Sequence, residues 1–318
     1  MSNLIVSYAP HIRSAKSTKQ LMADVIIALI PALVASVYFF GLPALVHTVV
    51  CVLSCVFFEW IWERAFKLPS TIGDLSAIIT GILVAFNMPV SAPYWLGITG
   101  SAFAIIVVKM FFGGLGSNFV NPALAGRAFM LLCWPVLMTK WTVPDFTMSF
   151  VTDAVSTATP LGVLAESGQM PYSYLSLFLG NIGGCIGEVS ALAILIGFVY
   201  LLIRKVITWR IPVIYVLTVF VLTEILGGDG LYYILSGGLM LGAVFMATDY
   251  VTSPMSATGH IIYAVGLGVL TVVIRMFGSL PEGVSYSILL MNIVTPLIDT
   301  YTKNRIYGKP KTGGKSHE

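Results

Sequence analysis

The sequence predicts an all-α polytopic membrane protein of about ten transmembrane helices, arranged as two inverted five-helix repeats. Three observations predict it. The 318 residues are 57% hydrophobic and only 10% charged, against about 45–50% apolar and about 25% charged in soluble domains. Ten apolar runs follow one another, each bounded by charges or by Gly and Pro. Segments of the second half then match segments of the first in the same order. At about 20 residues per span, ten spans take roughly 200 residues and leave no room for a sizeable soluble domain. A net charge of +3, from 17 basic and 14 acidic residues, is no nucleic-acid footprint.

The elements follow in chain order. Residues 1–20 are polar and basic and read as a cytoplasmic tail, because the apolar run from Leu21 is already of spanning length and leaves no cleavable signal. Residues 21–139 form the first repeat, with spans at about 21–40, 44–62, 75–90, 94–112 and 119–139. The third span is short and ends in Asn87-Met88-Pro89. Residues 140–173 are an external loop. Residues 174–301 form the second repeat, with spans at about 174–203, 211–227, 231–248, 261–277 and 284–301. The first of these is interrupted by Gly180, Gly183, Gly184 and Gly187, which a membrane tolerates where backbone lines a cavity or packs on protein. Residues 302–318 are a basic cytoplasmic tail.

Orientation follows from Lys and Arg, which favour the cytoplasmic side. With the N-terminus inside, 14 of the 17 basic residues fall on that side, Lys16, Arg64, Lys109, Arg204 and Arg210 among them. Lys140 and Arg275 fall outside, and Arg127 lies within the fifth span. Both termini are therefore cytoplasmic. The external loop carries Lys140 against Asp145, Asp153 and Glu166.

The repeat rests on five ordered matches, offset by 161–174 residues. Ala23-Asp24-Val25 meets Gly187-Glu188-Val189, and Phe58-Glu59-Trp60 meets Thr223-Glu224-Ile225. Val90-Ser91-Ala92-Pro93 meets Val251-Thr252-Ser253-Pro254, and Val107 to Phe111 meets Val273 to Phe277. Asn118 to Pro122 meets Asn292 to Pro296. Five is odd, so the second copy enters the membrane from the opposite side, and sites tend to lie at the interface of such halves.

The external loop holds Asp153-Ala154-Val155-Ser156-Thr157-Ala158-Thr159-Pro160-Leu161. By composition it is a polar turn ending at an X-Pro bond. The Ser156 to Thr159 string also resembles the flavinylation motif of the family that includes the D subunit of the Rnf ion-translocating electron-transport complex and the B subunit of the Na+-translocating NADH:quinone reductase. Gly113-Gly114-Leu115-Gly116-Ser117-Asn118, continuing through Asn121-Pro122 to Arg127-Ala128-Phe129, resembles a second signature of that family, and Phe245 to Pro254 a third. The resemblance covers essentially the whole chain. Its length, without the long N-terminal extension of the quinone-reductase relative, favours the Rnf member.

The resemblance implies a membrane subunit of an ion-translocating (Na+ or H+) ferredoxin:NAD oxidoreductase in the bacterial cytoplasmic membrane. It implies FMN joined to Thr159 through a phosphoester, with Ser156 and Thr157 as lesser acceptors, attached by a flavin transferase. Partners would include a second covalent flavoprotein subunit and iron–sulfur subunits. A second, noncovalent flavin such as riboflavin occurs in relatives; Asn121, Arg127 and Asp249 mark where it would sit. The rival is a secondary transporter without redox chemistry, since inverted repeats with broken spans describe transporters equally well.

Acids and bases within spans are functional hypotheses by default. Arg127 reads either as a contact to a flavin or as one half of an ion pair. Asp24, Glu59, Glu188 and Glu224 are ion-pathway candidates at repeat-related positions. Asp24 and Glu59 read better as hydrated interface residues, which gives Glu188 and Glu224 the stronger claim, whereas Asp249 reads as a helix-end or loop contact. Gly113 to Asn118 lacks the Lys-Ser/Thr pair of a phosphate loop and reads as a tight interhelical turn. The four cysteines lie in apolar runs, the four histidines form no cluster, and no metal site or catalytic residue is expected in this chain alone.

Overall fold

The protein, described by a computed structural model over residues 16–144, 156–278 and 283–302, is mostly helical. The basic tail beyond Thr302 and the Asp145 and Asp153 part of the loop lie outside the described residues. Helix α1 (Thr18–Phe40) opens on a capping box, in which the Ser17 hydroxyl accepts from the Gln20 N–H and the Gln20 side chain accepts from the Ser17 N–H. It closes at Gly41, from which α2 (Leu42–Ala65) starts with a proline in its first turn. These two helices and α13 (Ala257–Phe277) are long and apolar enough to cross a membrane. Only 28–39% of their most apolar windows is buried. Residues such as Val34, Leu53 and Ile262 point outward, and a helix apolar all round with an exposed face belongs in lipid or against another subunit.

The remaining helices are shorter. Helix α3 (Ser76–Phe86) rises only about 16 Å at 1.5 Å per residue, and Asn87 and Pro89 follow its end. Helix α4 (Tyr94–Ala102) runs on through Phe103–Met110 in wider turns, in which Phe111 N–H reaches back to Ile106 C=O at 3.1 Å. The turn that follows holds Gly113, Gly114 and Gly116 at φ of 111°, 89° and 92°, a region glycine enters without steric cost. Helix α5 (Pro122–Cys133) is capped by Asn121, whose side-chain oxygen accepts from the Ala123 and Leu124 N–H groups. A four-residue turn, α6 (Pro135–Met138), completes the first half.

The expected external loop is partly folded. Strand β1 (Trp141–Thr142) pairs antiparallel with β2 (Ser156–Thr157), Trp141 opposite Thr157 and Thr142 opposite Ser156. Helix α7 (Pro160–Ser167) follows at once.

The expected span at 174–203 is two helices, α8 (Tyr174–Leu179) and α9 (Ala191–Ile203). The intervening 180–190 are non-helical, in keeping with the four glycines. Next come α10 (Arg210–Ile225) and α11 (Gly230–Leu235), then α12 (Leu239–Leu241), which continues as one wide turn to Met246. After α13, α14 (Val284–Tyr301) ends the described chain.

Helix α1 packs on α9, α2 on α3 and α4, α10 on α11 and α13, and α5 on α14. Between them the core holds Phe40, Phe86, Tyr215, Tyr232 and Tyr263 in full burial. The hydroxyls of two of these tyrosines are matched, Tyr215 with Thr271 Oγ1 at 2.6 Å and Tyr263 with Asn292 at 2.7 Å, as buried polar groups require.

Candidate functional site

Two cavities flank α5, one at each end. Thr159 opens onto the first. Its backbone is extended, at φ −66° and ψ 155°, and its side-chain oxygen caps α7 by accepting the Gly162 N–H at 3.1 Å. Pro160 then takes the first helical position, where a missing N–H loses nothing. The preceding strand pairing fixes Thr157 beside Trp141, and Gly183 makes the seat for it, since a Cβ there would lie 2.3 Å from Thr157 Cγ2. The resulting cavity, of about 550 Å³, is lined by Thr157, Thr159, Arg127, Trp141, Glu166 and Tyr286 among others.

Arg127 comes from the middle of α5 and is buried. Its Nη1 donates to Asn87 Oδ1 at 2.8 Å, and the Asn87 amide donates in turn to Leu83 C=O at 2.6 Å. Arg127 is thus tethered, at the broken end of α3, with the first cavity before it. An amphiphilic pocket with one base, two aromatic rings and a threonine hydroxyl suits a planar ring carrying a phosphate. Among the described residues Glu166 is the one carboxylate in that lining, and its charge opposes a phosphate placed close to it.

At the other end of α5, Asn121 and Asp249 line a cavity of about 110 Å³ with Lys109, Asn118, Ser76 and Thr248. Asn121 Nδ2 reaches Met246 C=O at 3.4 Å. Asp249 accepts from the Val251 N–H and the Thr252 hydroxyl, both in the non-helical residues around it. Of the three residues grouped for a second flavin, Asn121 and Asp249 therefore share a cavity, and Arg127 faces the other one.

The four acids part company. Glu59 is fully buried, both its oxygens accept from Lys109 Nζ at 2.8 Å, and Lys109 also reaches Ser76 Oγ at 2.7 Å. The expectation of a hydrated interface residue is thus corrected: Thr71 and Lys109 replace the water. Thr71 binds both Glu59 and Glu63 through its hydroxyl. Asp24 is also buried, accepting from Tyr200 Oη at 3.0 Å and from Arg204 Nε at 3.1 Å; only Arg204 is half in solvent. Glu224 is exposed at the end of α10 and caps the Gly230 N–H at 2.9 Å.

Glu188 resembles Asp24 in keeping one buried carboxylate oxygen without a hydrogen-bond partner. It is 6% exposed and lies in the non-helical 180–190 segment. Its Oε1 accepts from the Cys185 N–H at 3.1 Å, while its buried Oε2 has no partner. Together with Thr159 it lines a small cavity beneath the motif.

Several contributors are not visible in the sequence. Trp141, Tyr286 and Glu166 carry no local signal for a shared pocket. Asn87 does carry one, a polar side chain at the end of a short span. Arg275, expected only as an external base matching Lys109, is buried and donates to the carbonyls of Tyr233 and Ser236 at 2.6 and 3.3 Å.

Apolar helices with outward apolar faces, broken elements and buried charges around two cavities define a multi-helix membrane protein with polar sites inside it. The chain belongs to the NQR2, RnfD, RnfE family, whose model matches residues 5–308. It is 54% identical over 314 residues to the D subunit of the Na(+)-translocating ferredoxin:NAD(+) oxidoreductase complex of Acetobacterium woodii, covering 97% of this chain and 96% of that one. It is 42% identical to the D subunit of the proton-translocating ferredoxin:NAD(+) oxidoreductase complex of Clostridium ljungdahlii, over 95% of this chain and 96% of the relative. The D subunit of the ion-translocating oxidoreductase complex of Stutzerimonas stutzeri is 36% identical over 93% and 94% of the two chains.

Proposed function

We propose that this chain is a membrane subunit of an ion-translocating ferredoxin:NAD+ oxidoreductase complex, and that it carries electrons through FMN esterified to Thr159. Membership of the family and near full-length similarity to three subunits of such complexes support the role in the complex. The observation that carries the cofactor assignment is the position of Thr159. It is a capping hydroxyl in the lining of a cavity of about 550 Å³ that is lined also by Arg127, Trp141 and Tyr286.

The residues present fit the group. An ester at Thr159 Oγ1 would set the phosphate against the N–H groups that open α7, where backbone dipoles favour an anion. Arg127, anchored by Asn87, supplies a counter-charge from α5. Trp141 and Tyr286 offer apolar faces for the ring, and the β1–β2 pairing holds the motif against the cavity. The bound flavin would supply reversible electron transfer. The second, noncovalent flavin is a weaker match: Asn118, Asn121 and Asp249 offer suitable polar groups, but about 110 Å³ falls short of the roughly 300 Å³ at which small-molecule sites begin.

Ten spans in two inverted halves are part of the same proposal. The mutual packing of α1 with α9 and of α5 with α14 supports it, because these are the first and the last spanning elements of each half. Sidedness, with the motif outside and both termini in the cytoplasm, is supported by opposite ends of α1. Lys16 Nζ meets Arg204 C=O near its start, and Phe39 near its finish meets Gly180 and the segment seated under Thr157. The partners of such a subunit would be a second covalent flavoprotein, iron–sulfur subunits and, for maturation, a flavin transferase.

The test is direct. The chain is co-expressed with a flavin transferase, denatured in SDS and viewed for flavin fluorescence on the gel. A fluorescent band that goes dark in Thr159→Ala is expected. A dark wild-type band would remove the redox reading and leave the transporter, and a band still bright in Thr159→Ala would move the attachment site.

A further inference from the structure

We infer that Thr159 receives its flavin before the motif is seated: the transferase acts on a released 156–161 segment, which then folds back onto the 180–190 break and carries the flavin into its cavity. The inference rests on the proposed function for the identity of the modification. In the seated form Thr159 is 7% exposed, and Leu161 beyond it is buried too. Its hydroxyl already accepts the Gly162 N–H at 3.1 Å.

Attachment asks more of that hydroxyl than a flavin nearby. Thr159 Oγ1 must attack the FMN phosphorus of a flavin dinucleotide. The new O–P bond forms, the P–O bond to AMP breaks, the hydroxyl proton passes to a base of the transferase, and AMP leaves. The dinucleotide and that base are held by another protein. The space before Thr159, about 550 Å³, has the size of a small-molecule site. It takes a flavin, but it does not take the active site that delivers one.

The seat itself is built from short contacts that can part together. Strand β2 is two residues long and pairs only with β1. Beneath it Gly183 meets Thr157, where a Cβ would lie 2.3 Å from Cγ2. Past Thr159, Leu161 packs on Gly237, where a Cβ would lie 2.9 Å from Leu161 Cδ1, and Tyr232 Oη donates to the Pro160 C=O at 3.4 Å. Segments held by so few contacts open at a small part of the global cost. A flavin that is buried only in the seated form then shifts the equilibrium toward seating.

The test follows labelling of the purified full chain, made without a transferase and then mixed with a flavin transferase, flavin adenine dinucleotide and magnesium. The readout is the rate at which in-gel flavin fluorescence appears. A Cβ built on Gly183 lies 3.8 Å from Thr157 Cβ, a spacing that suits a disulfide, so Thr157→Cys/Gly183→Cys staples the motif to its seat. Oxidised, the staple should stay dark; reduced with dithiothreitol, it should label, as should Thr157→Cys alone in either state. Gly183→Ala, which pushes Thr157 off its seat, should label about tenfold faster than wild type, with cooperative melting retained. Equal rates in the oxidised and reduced staple overturn the inference, and so does a Gly183→Ala rate no higher than wild type. If Thr157→Cys alone stays dark, the Gly183→Ala rate decides. A wild type that is dark both here and after co-expression fails the flavin assignment instead.

Discussion

The two halves of this molecule handle matched charges in opposite ways. In residues 18–133, Lys109 and Glu59 neutralise each other inside the protein at 2.8 Å, and Asp24 is held by Tyr200 and Arg204. In residues 174–301 the counterparts are separated. Arg275, the match of Lys109, binds only carbonyls among the contacts described; Glu224, the match of Glu59, is out in solvent; and Glu188, the match of Asp24, is buried with one oxygen open. Asp24 and Glu188 each keep one buried oxygen without a hydrogen-bond partner, so the contrast lies elsewhere: Lys109 meets Glu59 directly, whereas Arg275 meets carbonyls and Glu224 meets solvent.

The largest effect should come from breaking the first half's pair. Lys109→Met strands a fully buried Glu59 carboxylate, and removal of one partner from a buried pair costs about 3–5 kcal/mol. Thermal melting of the purified chain should show a steep loss, and the double variant Lys109→Met/Glu59→Leu should recover most of it. A single variant as stable as wild type would erase the contrast between the halves. Arg275→Met should be milder, because no carboxylate depends on it for a hydrogen bond.

A second, smaller effect concerns the seam between the halves. Phe86 C=O and Met88 C=O accept from the N–H groups of Gly187 and Ile186 at 3.0 and 2.9 Å, joining the broken end of α3 to the 180–190 break. A Cβ on Gly187 would lie 2.2 Å from Phe86 Cγ, and Phe86 is fully buried. Gly187→Ala should therefore destabilise by about 1–3 kcal/mol through overpacking, whereas Gly73→Ala, with open space around its Cβ, should be silent. Equal melting temperatures for the two variants would contradict the close seam.

These features differ in how visible they are along the chain. The glycines of the 180–190 break, the Asn121-Pro122 helix start and the Gly113–Gly116 turn are legible, because each depends on local backbone chemistry. The Thr159-Pro160 step has the residue pattern of a helix start too, although by composition it reads only as the end of a turn. The Lys109–Glu59 pair is not legible, since its partners are 50 residues apart and their meeting depends on how α2 packs against α4. The same holds for the cavity around Thr159, which draws Arg127, Trp141 and Tyr286 from three separate elements. Charge alone suggests that Glu59 should be wet; the Thr71 hydroxyl, placed by the α2–α3 turn, makes burial possible.

A third prediction separates the cap from the cofactor. Without flavin, Thr159→Ala should lose about 1 kcal/mol, the worth of an N-cap, while Thr159→Ser should keep it, because the hydroxyl still reaches the Gly162 N–H. With the flavin transferase present, serine should also retain gel fluorescence if the transferase accepts its hydroxyl. A melt that does not distinguish alanine from serine would mean that α7 does not depend on this cap.

The smallest effect should fall on Glu224, and it tests the comparison at its most exposed point. Its carboxylate accepts a single backbone N–H from Gly230 at the surface end of α10. Neutralising it in Glu224→Gln preserves an acceptor oxygen of the same reach, so the change should stay within about 0.5 kcal/mol. Its counterpart in the sequence match behaves otherwise: Glu59→Gln leaves Lys109 charged, buried and facing an amide that can no longer balance it. The same substitution at matched positions should thus be nearly neutral in one half and severe in the other, measured as melting temperature in detergent. If Glu224→Gln instead abolishes ion-dependent coupling in sealed vesicles while leaving stability and flavin loading intact, Glu224 has a part in ion movement beyond its cap on Gly230.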